Sequence, residues 1–221
     1  LDRGFQVLLT AYPEAKRYLD YEALRLKTFD PGAMIFRPGD MFIIQDPIRN
    51  PLHALTMAFS KVGTAMDKIR IWNLNNKLKK MSDEEIFAEP SMTTMEFLKK
   101  YGFSERIIGN FFLPFFRGIF LENELKTSSR MFKFVFKMFS VGHSAIPEFG
   151  MQQIPNQLLG KLKETKIRLN TAVQRIESDG VLLESGEKLP ASKVIVACRP
   201  DRILPQLSGQ VNQYHKVINM Y

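Results

Sequence analysis

The spacing of hydrophobic and polar positions changes twice along this chain of 221 residues. Residues 1–46 combine short apolar runs of strand character with one helical stretch. Apolar positions then recur at helical spacing from residue 47 to residue 141. Residues 142–221 return to a mixture of helix and strand patterns. The pattern predicts an α/β fold, or α+β for a partial domain, with an all-helical block inserted into it.

Local signals place the elements of the framework. Residues 5–8 predict a strand and residues 12–24 a helix, and a turn at Arg37-Pro38-Gly39-Asp40 predicts a hairpin of residues 33–36 and 41–44. A helix pattern follows Gly150. The chain then predicts three further strands: residues 167–176, residues 181–183 after the Asp179-Gly180 turn, and residues 194–197 after a second turn at Ser185-Gly186. Residues 194–197 are apolar at every position, which predicts a strand covered on both faces.

The helical block contains several boundary signals. Pro51 suits the first turn of a helix, and Ser82-Asp83-Glu84-Glu85 matches a capping box. Gly102 separates a helix at residues 91–101 from one at residues 104–112. A break is expected at Pro114 and Gly118, and residues 127–141 predict the longest apolar helix, capped at Ser128-Ser129. The buried face of an earlier helix is predicted at Ile71, Leu74 and Leu78, with Ile69 and Trp72 close to it.

Positive charge is concentrated in the helical block. The net charge is +8, and residues 61–80 carry six Lys and Arg side chains against Asp67 alone. A solvated helix face is the simpler interpretation, and binding to nucleic acid or to an acidic membrane is the alternative. No nucleic-acid motif accompanies the charge, so we expect no nucleic-acid partner. Arg130, Lys133 and Lys137 predict a solvent stripe on the last helix, or else the headgroup side of a membrane-facing helix.

The sequence contains few groups that indicate catalysis. It has three histidines and one cysteine, without metal-ligand spacing, so no metal site is expected and no catalytic residue can be assigned. The motifs G-x-S-x-G, G-x-G-x-x-G and G-x-x-x-x-G-K-[ST] do not occur. No apolar run approaches the roughly 20 residues that span a bilayer. Eighteen phenylalanines predict an aromatic interior or an apolar pocket.

Four segments of the chain resemble one flavoenzyme family. They are Leu1-Asp2-Arg3-Gly4-Phe5-Gln6, Gly150-Met151-Gln152-Gln153-Ile154-Pro155, Leu169-Asn170-Thr171-Ala172-Val173-Gln174-Arg175-Ile176, and residues 181–197. Their order and spacing are similar to those of FAD-dependent amine oxidases, phytoene desaturases and protoporphyrinogen oxidases. Phe149 departs from the pattern, since the family often has a glycine there. The Gly-rich nucleotide motif and the Gly-Gly-Arg motif of the family are absent.

The resemblance implies a partial, Rossmann-like FAD-binding domain built from residues 1–46 and 142–221, with residues 47–141 as a helical substrate-binding insert. It implies FAD as the cofactor, with Gly4, Phe5 and Gln6 beside the isoalloxazine ring, Val173 at the adenine, and Ala197 as a further cofactor-binding residue. Phe112, Phe115 and Phe116 are the candidates for the wall of an apolar substrate pocket. Core packing is the alternative role for these rings.

The resemblance also leads to expectations about the protein as a whole. We expect the chain to be the central piece of a longer, cytoplasmic oxidoreductase that transfers hydride from an apolar small molecule to flavin and contacts a membrane peripherally. Alone, the chain is expected to be inactive and to lack FAD. Two other hypotheses stay open at this point: a non-enzymatic binding module that uses its basic helix, and a helical interaction domain on an α/β scaffold.

Overall fold

The computed structural model describes residues 7–30, 32–37, 40–45 and 62–197. The chain divides into two compact units, Leu1–Leu162 and Lys163–Tyr221. Helices are combined with small antiparallel sheets, so the α+β character predicted for a partial domain is confirmed. The predicted boundary at residue 142 is not the boundary between the compact units, because residues 142–162 lie in the first unit.

A three-stranded sheet closes the first unit around the helical block. Its order is β1 (Leu8–Leu9), β5 (Ser144–Ile146) and β2 (Lys27–Thr28), with Leu8 opposite Ala145. The central strand follows the helical block and both outer strands precede it. The sheet therefore joins the two ends of the helical block.

The end of the helical block approaches β1 closely. A Cβ atom on Gly142 would lie 2.6 Å from the backbone nitrogen of Ala11, so only glycine fits there. Beside this contact, the Thr10 amide donates to the His143 carbonyl at 2.9 Å, and the His143 amide donates to Thr10 Oγ1 at 2.8 Å. These bonds fix the point at which the chain leaves the helices.

The other elements before the block agree only partly with expectation. The hairpin is confirmed, since β3 (Gly32–Arg37) and β4 (Asp40–Gln45) pair antiparallel with Arg37 opposite Asp40. The helix predicted at residues 12–24 is wrong in length, because α1 spans only Pro13–Tyr18. Its termination has a local cause: the Asp20 carboxylate accepts the Ala23 amide at 3.0 Å, which favours a turn over further helix.

The helical block contains six α-helices among the described residues. They are α2 (Ala65–Lys80), α3 (Asp83–Ala88), α4 (Thr94–Tyr101), α5 (Glu105–Ile107), α6 (Leu113–Phe120) and α7 (Ser129–Val141), with a π-helix at Ile108–Phe112. The predicted capping box is confirmed, because the Ser82 amide donates to Glu85 and the Glu85 amide donates to Ser82 Oγ. Pro51 lies outside the described residues.

The break predicted at Pro114 and Gly118 is wrong. The chain stays helical from Glu105 through a π-helix to Phe120, and it leaves the helix at Leu121, whose φ is 53°. Pro114 lies in the first turn of α6, directly after the π-helix, where the pattern of backbone hydrogen bonds changes. The helix division at Gly102 is confirmed, since this residue ends α4 with a φ of 94°.

Phenylalanine rings form the centre of the helical core. Phe112, Phe116 and Phe132 have no exposed surface. The rings of Phe116 and Phe132 lie 4.7 Å apart at 60°, and those of Phe112 and Phe132 lie 5.9 Å apart at 72°. Edge-on contacts of this kind add to the free energy gained by burying the rings. The core therefore joins the π-helix and α6 to α7.

The packed face of α2 is narrower than predicted. Leu74 and Leu78 are buried as expected, whereas Ile69 and Trp72 are 52 % and 57 % exposed. Periodicity identified the centre of the buried face correctly. It placed the edge of that face wrongly, because α2 packs through one side only and turns Ile69 and Trp72 towards solvent.

The basic stripe predicted on α7 does not face solvent, so that interpretation is wrong. Lys133 is 6 % exposed, pairs with Glu89, and lies 4.3 Å from the centre of the Phe97 ring. Lys137 donates to Asp83 Oδ1 and to the Met81 carbonyl, both at 2.7 Å. Helix α3 and the residues beside it pack on this side of α7. Two of the three cations expected at lipid headgroups, Lys133 and Lys137, are therefore already paired.

Asp67 is a buried carboxylate that caps two helices. It accepts the Thr64 amide and hydroxyl, both at 2.7 Å, at the start of α2. It also accepts the Ser104 amide at 2.9 Å and the Ser104 hydroxyl at 2.6 Å, at the start of α5. Burial tends to raise the pKa of Asp67, but the hydrogen bonds from Ser104 and Thr64 outweigh it and hold the pKa below the usual range of an aspartate.

After β5, helix α8 (Gln153–Lys161) confirms the helix expected beyond Gly150, and it belongs to the first unit. Gln157 exchanges two hydrogen bonds with the Asp20 backbone, and Lys161 donates to the Tyr18 carbonyl. The second unit contains a meander of β6 (Val173–Glu177), β7 (Gly180–Leu183) and β8 (Lys188–Pro190). Both predicted turns in this meander are confirmed.

Replacing Asp67 tests the double cap. Asp67→Ala should lower the free energy of unfolding by about 2–4 kcal/mol, because two helix starts lose an acceptor and buried donors are left unpaired. Urea denaturation measures the change. Glu96→Ala is the matched control, since Glu96 caps only the exposed start of α4, and about 1 kcal/mol is expected.

The stability contributed by the Asp67 carboxylate should depend on pH, and the direction of its shifted pKa fixes the sign of this dependence. The folded pKa of Asp67 is depressed, so its contribution to stability is present above the unfolded pKa and lost as pH falls through the folded pKa. The difference in stability between wild type and Asp67→Ala should therefore be constant above about pH 5 and shrink below the ordinary aspartate pKa. A difference that grows on acidification would contradict this assignment.

Candidate functional site

An aliphatic hollow lies on one face of the meander in the second unit. Its volume is about 180 Å³, and its lining residues are Val173, Ile176, Val181, Val194, Ile195, Val196 and Ala197. The β6–β7 hairpin contributes the first three, and the segment after β8 contributes the other four. Among the described residues, this hollow is a concave surface without any charged side chain in its lining.

A β-bulge explains why Val173 faces the hollow. Val173 lies opposite Leu183 and Arg175 lies opposite Leu182, so Gln174 is an extra residue on β6. In a regular strand, residues three apart point to opposite faces. The extra residue turns Val173 to the same face as Ile176, which lies opposite Val181. The bulge thus aligns three side chains along one wall.

The structure brings Val173 and Ala197 together, since both line the same hollow. Their assignment to FAD stays a prediction. Gly4, Phe5 and Gln6 lie outside the described residues. The strand predicted at residues 194–197 is wrong for the described structure: these residues form no strand, and Ile195 is 92 % exposed. The segment lies across the hollow from β6 and β7, and no described strand pairs with it.

The hollow fits the adenine end of FAD in its chemistry. Strand β6 is at the edge of its sheet, and an edge strand directs alternate backbone N–H and C=O groups away from its neighbour. A flat heteroaromatic base requires apolar walls and a few hydrogen-bonding groups at its rim. The aliphatic face supplies the walls, and the backbone of β6 can supply the rim.

The candidate substrate rings occupy different environments. Phe112 and Phe116 have no exposed surface and lie in the middle of the core, whereas Phe115 is half-buried. Phe115 stacks on Phe111 at 5.5 Å and contacts Phe139 at 5.3 Å. Core packing accounts for Phe112 and Phe116 as they stand, while Phe115 has a partly open face. The substrate-binding role of all three stays a prediction.

Sequence patterns did not identify Ile176, Val181 or the side-by-side placement of the hollow's two parts. The bulge that aligns Val173 has no glycine to mark it. The Asp179-Gly180 turn was the available signal, because it fixes Ile176 opposite Val181. No cluster of metal-ligating side chains occurs within the described residues, and none of the helices described there is long and apolar enough to cross a bilayer.

The family model of flavin containing amine oxidoreductases matches residues 1–217 of the chain. The match covers nearly the whole chain of 221 residues. The chain therefore belongs to the flavin containing amine oxidoreductase family, as the four resembling segments predicted. No protein with a curated description matches it.

Paired substitutions distinguish the core rings from the half-buried ring. Phe116→Ala should lower the free energy of unfolding by about 3–5 kcal/mol, because it leaves a cavity among Phe112, Phe120 and Phe132. Phe115→Ala should cost less than half as much, because part of its ring is already exposed to water. Urea denaturation of both variants measures the difference. Equal losses would contradict the division between core and accessible rings.

Proposed function

We propose that this chain is the central part of an FAD-dependent oxidoreductase that oxidises an apolar substrate by hydride transfer to flavin. Membership of the flavin containing amine oxidoreductase family carries the proposal. The hollow that unites Val173 and Ala197 supports it, because the resemblance expected both residues at the cofactor. The proposal extends the family assignment to a substrate class and to particular residues.

In this proposal, the second unit is part of a Rossmann-like FAD-binding domain. The aliphatic wall of Val173, Ile176 and Val181 holds the adenine, and the backbone of β6 bonds to its rim. Residues 194–197 form the opposite wall. Their apolar side chains and their exposure support an arrangement in which further parts of the FAD-binding domain, and the cofactor, cover them.

The helical block takes the role of the substrate-binding insert. When bound, the flavin accepts the hydride, so the surrounding protein needs few acid–base groups and mainly positions the substrate and excludes water. An aromatic interior suits an apolar substrate. Phe115 is the best candidate of the three predicted rings, since it combines packing against Phe111 and Phe139 with a partly open face.

The chain does not contain the Gly-rich loop that places a pyrophosphate at a helix start. The hollow alone holds only one end of FAD. We therefore expect the chain by itself to bind FAD too weakly to retain it and to be inactive, and we place the redox activity in the full-length protein.

The flavin content of the purified chain tests whether the chain alone binds FAD too weakly to retain it. The purified chain, mixed with FAD and passed through a desalting column, should emerge without visible flavin absorbance. Flavin retained at stoichiometric level would contradict the proposed dependence on a separate pyrophosphate site.

Variants of the full-length protein test the hollow. Val173→Asp should reduce FAD affinity by at least about tenfold, because a carboxylate in the aliphatic hollow stays unpaired beside the base. Gln174→Asp is the matched control, since it adds the same charge at the neighbouring exposed bulge residue and should leave affinity unchanged. Circular dichroism confirms folding of both variants. Equal FAD affinities for Val173→Asp and wild type would contradict the assignment of the hollow to the cofactor site.

A further inference from the structure

Helix α2 exposes an apolar stripe on its outer side. Met66, Ile69 and Trp72 are 52 %, 52 % and 57 % exposed. Successive members are three residues apart, and at about 100° per residue they fall within an arc of about 120°. Leu74 and Leu78, on the opposite side, are buried in the helical core. The stripe therefore lies on the solvent-facing side of α2, opposite the face that packs on the helical core.

Basic side chains flank this stripe. By helical spacing, Lys68 and Lys79 fall beside Trp72, while Arg70 and Lys77 fall beside Met66 on the other flank. Lys80 extends the line of Ile69 at the carboxyl end of the helix, where cations also interact favourably with the helix dipole. The outer face therefore combines an apolar centre with positive flanks.

The one acidic residue of α2 lies on the packed side of the helix. Asp67, the one acidic residue of α2, has no exposed surface, and both of its carboxylate oxygens accept hydrogen bonds from Thr64 and Ser104. Lys77 lies 3.9 Å from Glu89, while Lys79 and Lys80 pair with no carboxylate in the described ranges. The charged side chains that α2 itself places on its outer face are therefore all basic.

We propose that the outer face of α2 is a docking surface for an anionic lipid bilayer. The apolar stripe enters the boundary between headgroups and acyl chains, with the Trp72 indole at headgroup level, and the flanking cations meet the headgroup phosphates. An anionic bilayer offers both the charge and the apolar layer that this surface matches. The phosphate backbone of a nucleic acid would match the flanks and leave Met66 and Ile69 in water.

The sequence offered two basic helices as alternatives for a membrane contact, and the structure favours α2 over α7. On α7, Lys133 and Lys137 are paired with carboxylates and turned into the protein. On α2, Lys77, Lys79 and Lys80 are exposed together with the apolar stripe. The interaction is independent of the proposed redox chemistry, since it uses residues outside the hollow and outside the aromatic core.

Tryptophan fluorescence tests the proposal directly, because Trp72 is the only tryptophan of the chain. Vesicles of phosphatidylglycerol should shift its emission to shorter wavelength and carry the protein into the pellet on sedimentation. Vesicles of phosphatidylcholine should do neither at the same lipid concentration. Absence of a shift with phosphatidylglycerol would overturn the proposal. A shift with a single-stranded oligonucleotide and none with vesicles would also overturn it and assign the face to nucleic acid.

Charge variants distinguish binding through the outer face of α2 from binding that depends only on the net charge of the protein. Lys79→Gln combined with Lys80→Gln should weaken binding to phosphatidylglycerol vesicles about 25-fold. Lys163→Gln combined with Lys166→Gln removes the same charge from exposed positions in the second unit and should leave binding unchanged. All four lysines are exposed, and circular dichroism checks that both variants stay folded. An equal loss in both double variants would reduce the interaction to non-specific charge and overturn the proposal.

Discussion

The contact among Phe112, Phe116 and Phe132 holds the helical block together. These rings are fully buried and come from the π-helix, α6 and α7. Through α7 the same contact positions the framework, because β5 begins three residues after α7 ends and pairs with both β1 and β2. Removing a ring would therefore disturb both the insert and the sheet that closes it.

Buried charges give the helices their orientation. Asp67 joins the starts of α2 and α5, and Lys133 joins α7 to Glu89 after α3. A buried pair of this kind contributes little net stability compared with apolar packing, but it strongly disfavours arrangements that leave one charge unpaired. It also decides which charges reach the surface. The acidic group of α2 and two cations of α7 are turned inward, whereas Lys77, Lys79 and Lys80 of α2 are exposed.

Local signals predicted elements well where the cause of the structure is local. The hairpin of β3 and β4, the capping box at Ser82 and the Asp179-Gly180 turn depend on neighbouring residues alone. Other features depend on which elements pack against them, and the periodicity of the sequence does not contain this information. Examples are the orientation of Trp72, the burial of Lys133 and the exposure of residues 194–197. Pro114 was misjudged because its effect depends on its place in the helical turn.

The candidate site divides in the same way. Val173 and Ala197 were predicted from the family resemblance, while Ile176 and Val181 became visible as partners only through strand register and the bulge at Gln174. The resemblance could name two positions because motifs record them. It could not show that Ile176 and Val181 complete the aliphatic wall beside Val173, because the pairing of β6 with β7 brings these side chains together.

The most direct measurement is the visible spectrum of the full-length protein, recorded without oxygen before and after adding an apolar amine, a carotenoid precursor or a porphyrinogen. We predict that the spectrum shows bound oxidised flavin and that one of these substrate classes bleaches it in proportion to the substrate added. A full-length protein without flavin absorbance, or a flavin that stays oxidised with all three classes and is reduced only by dithionite, would contradict the account.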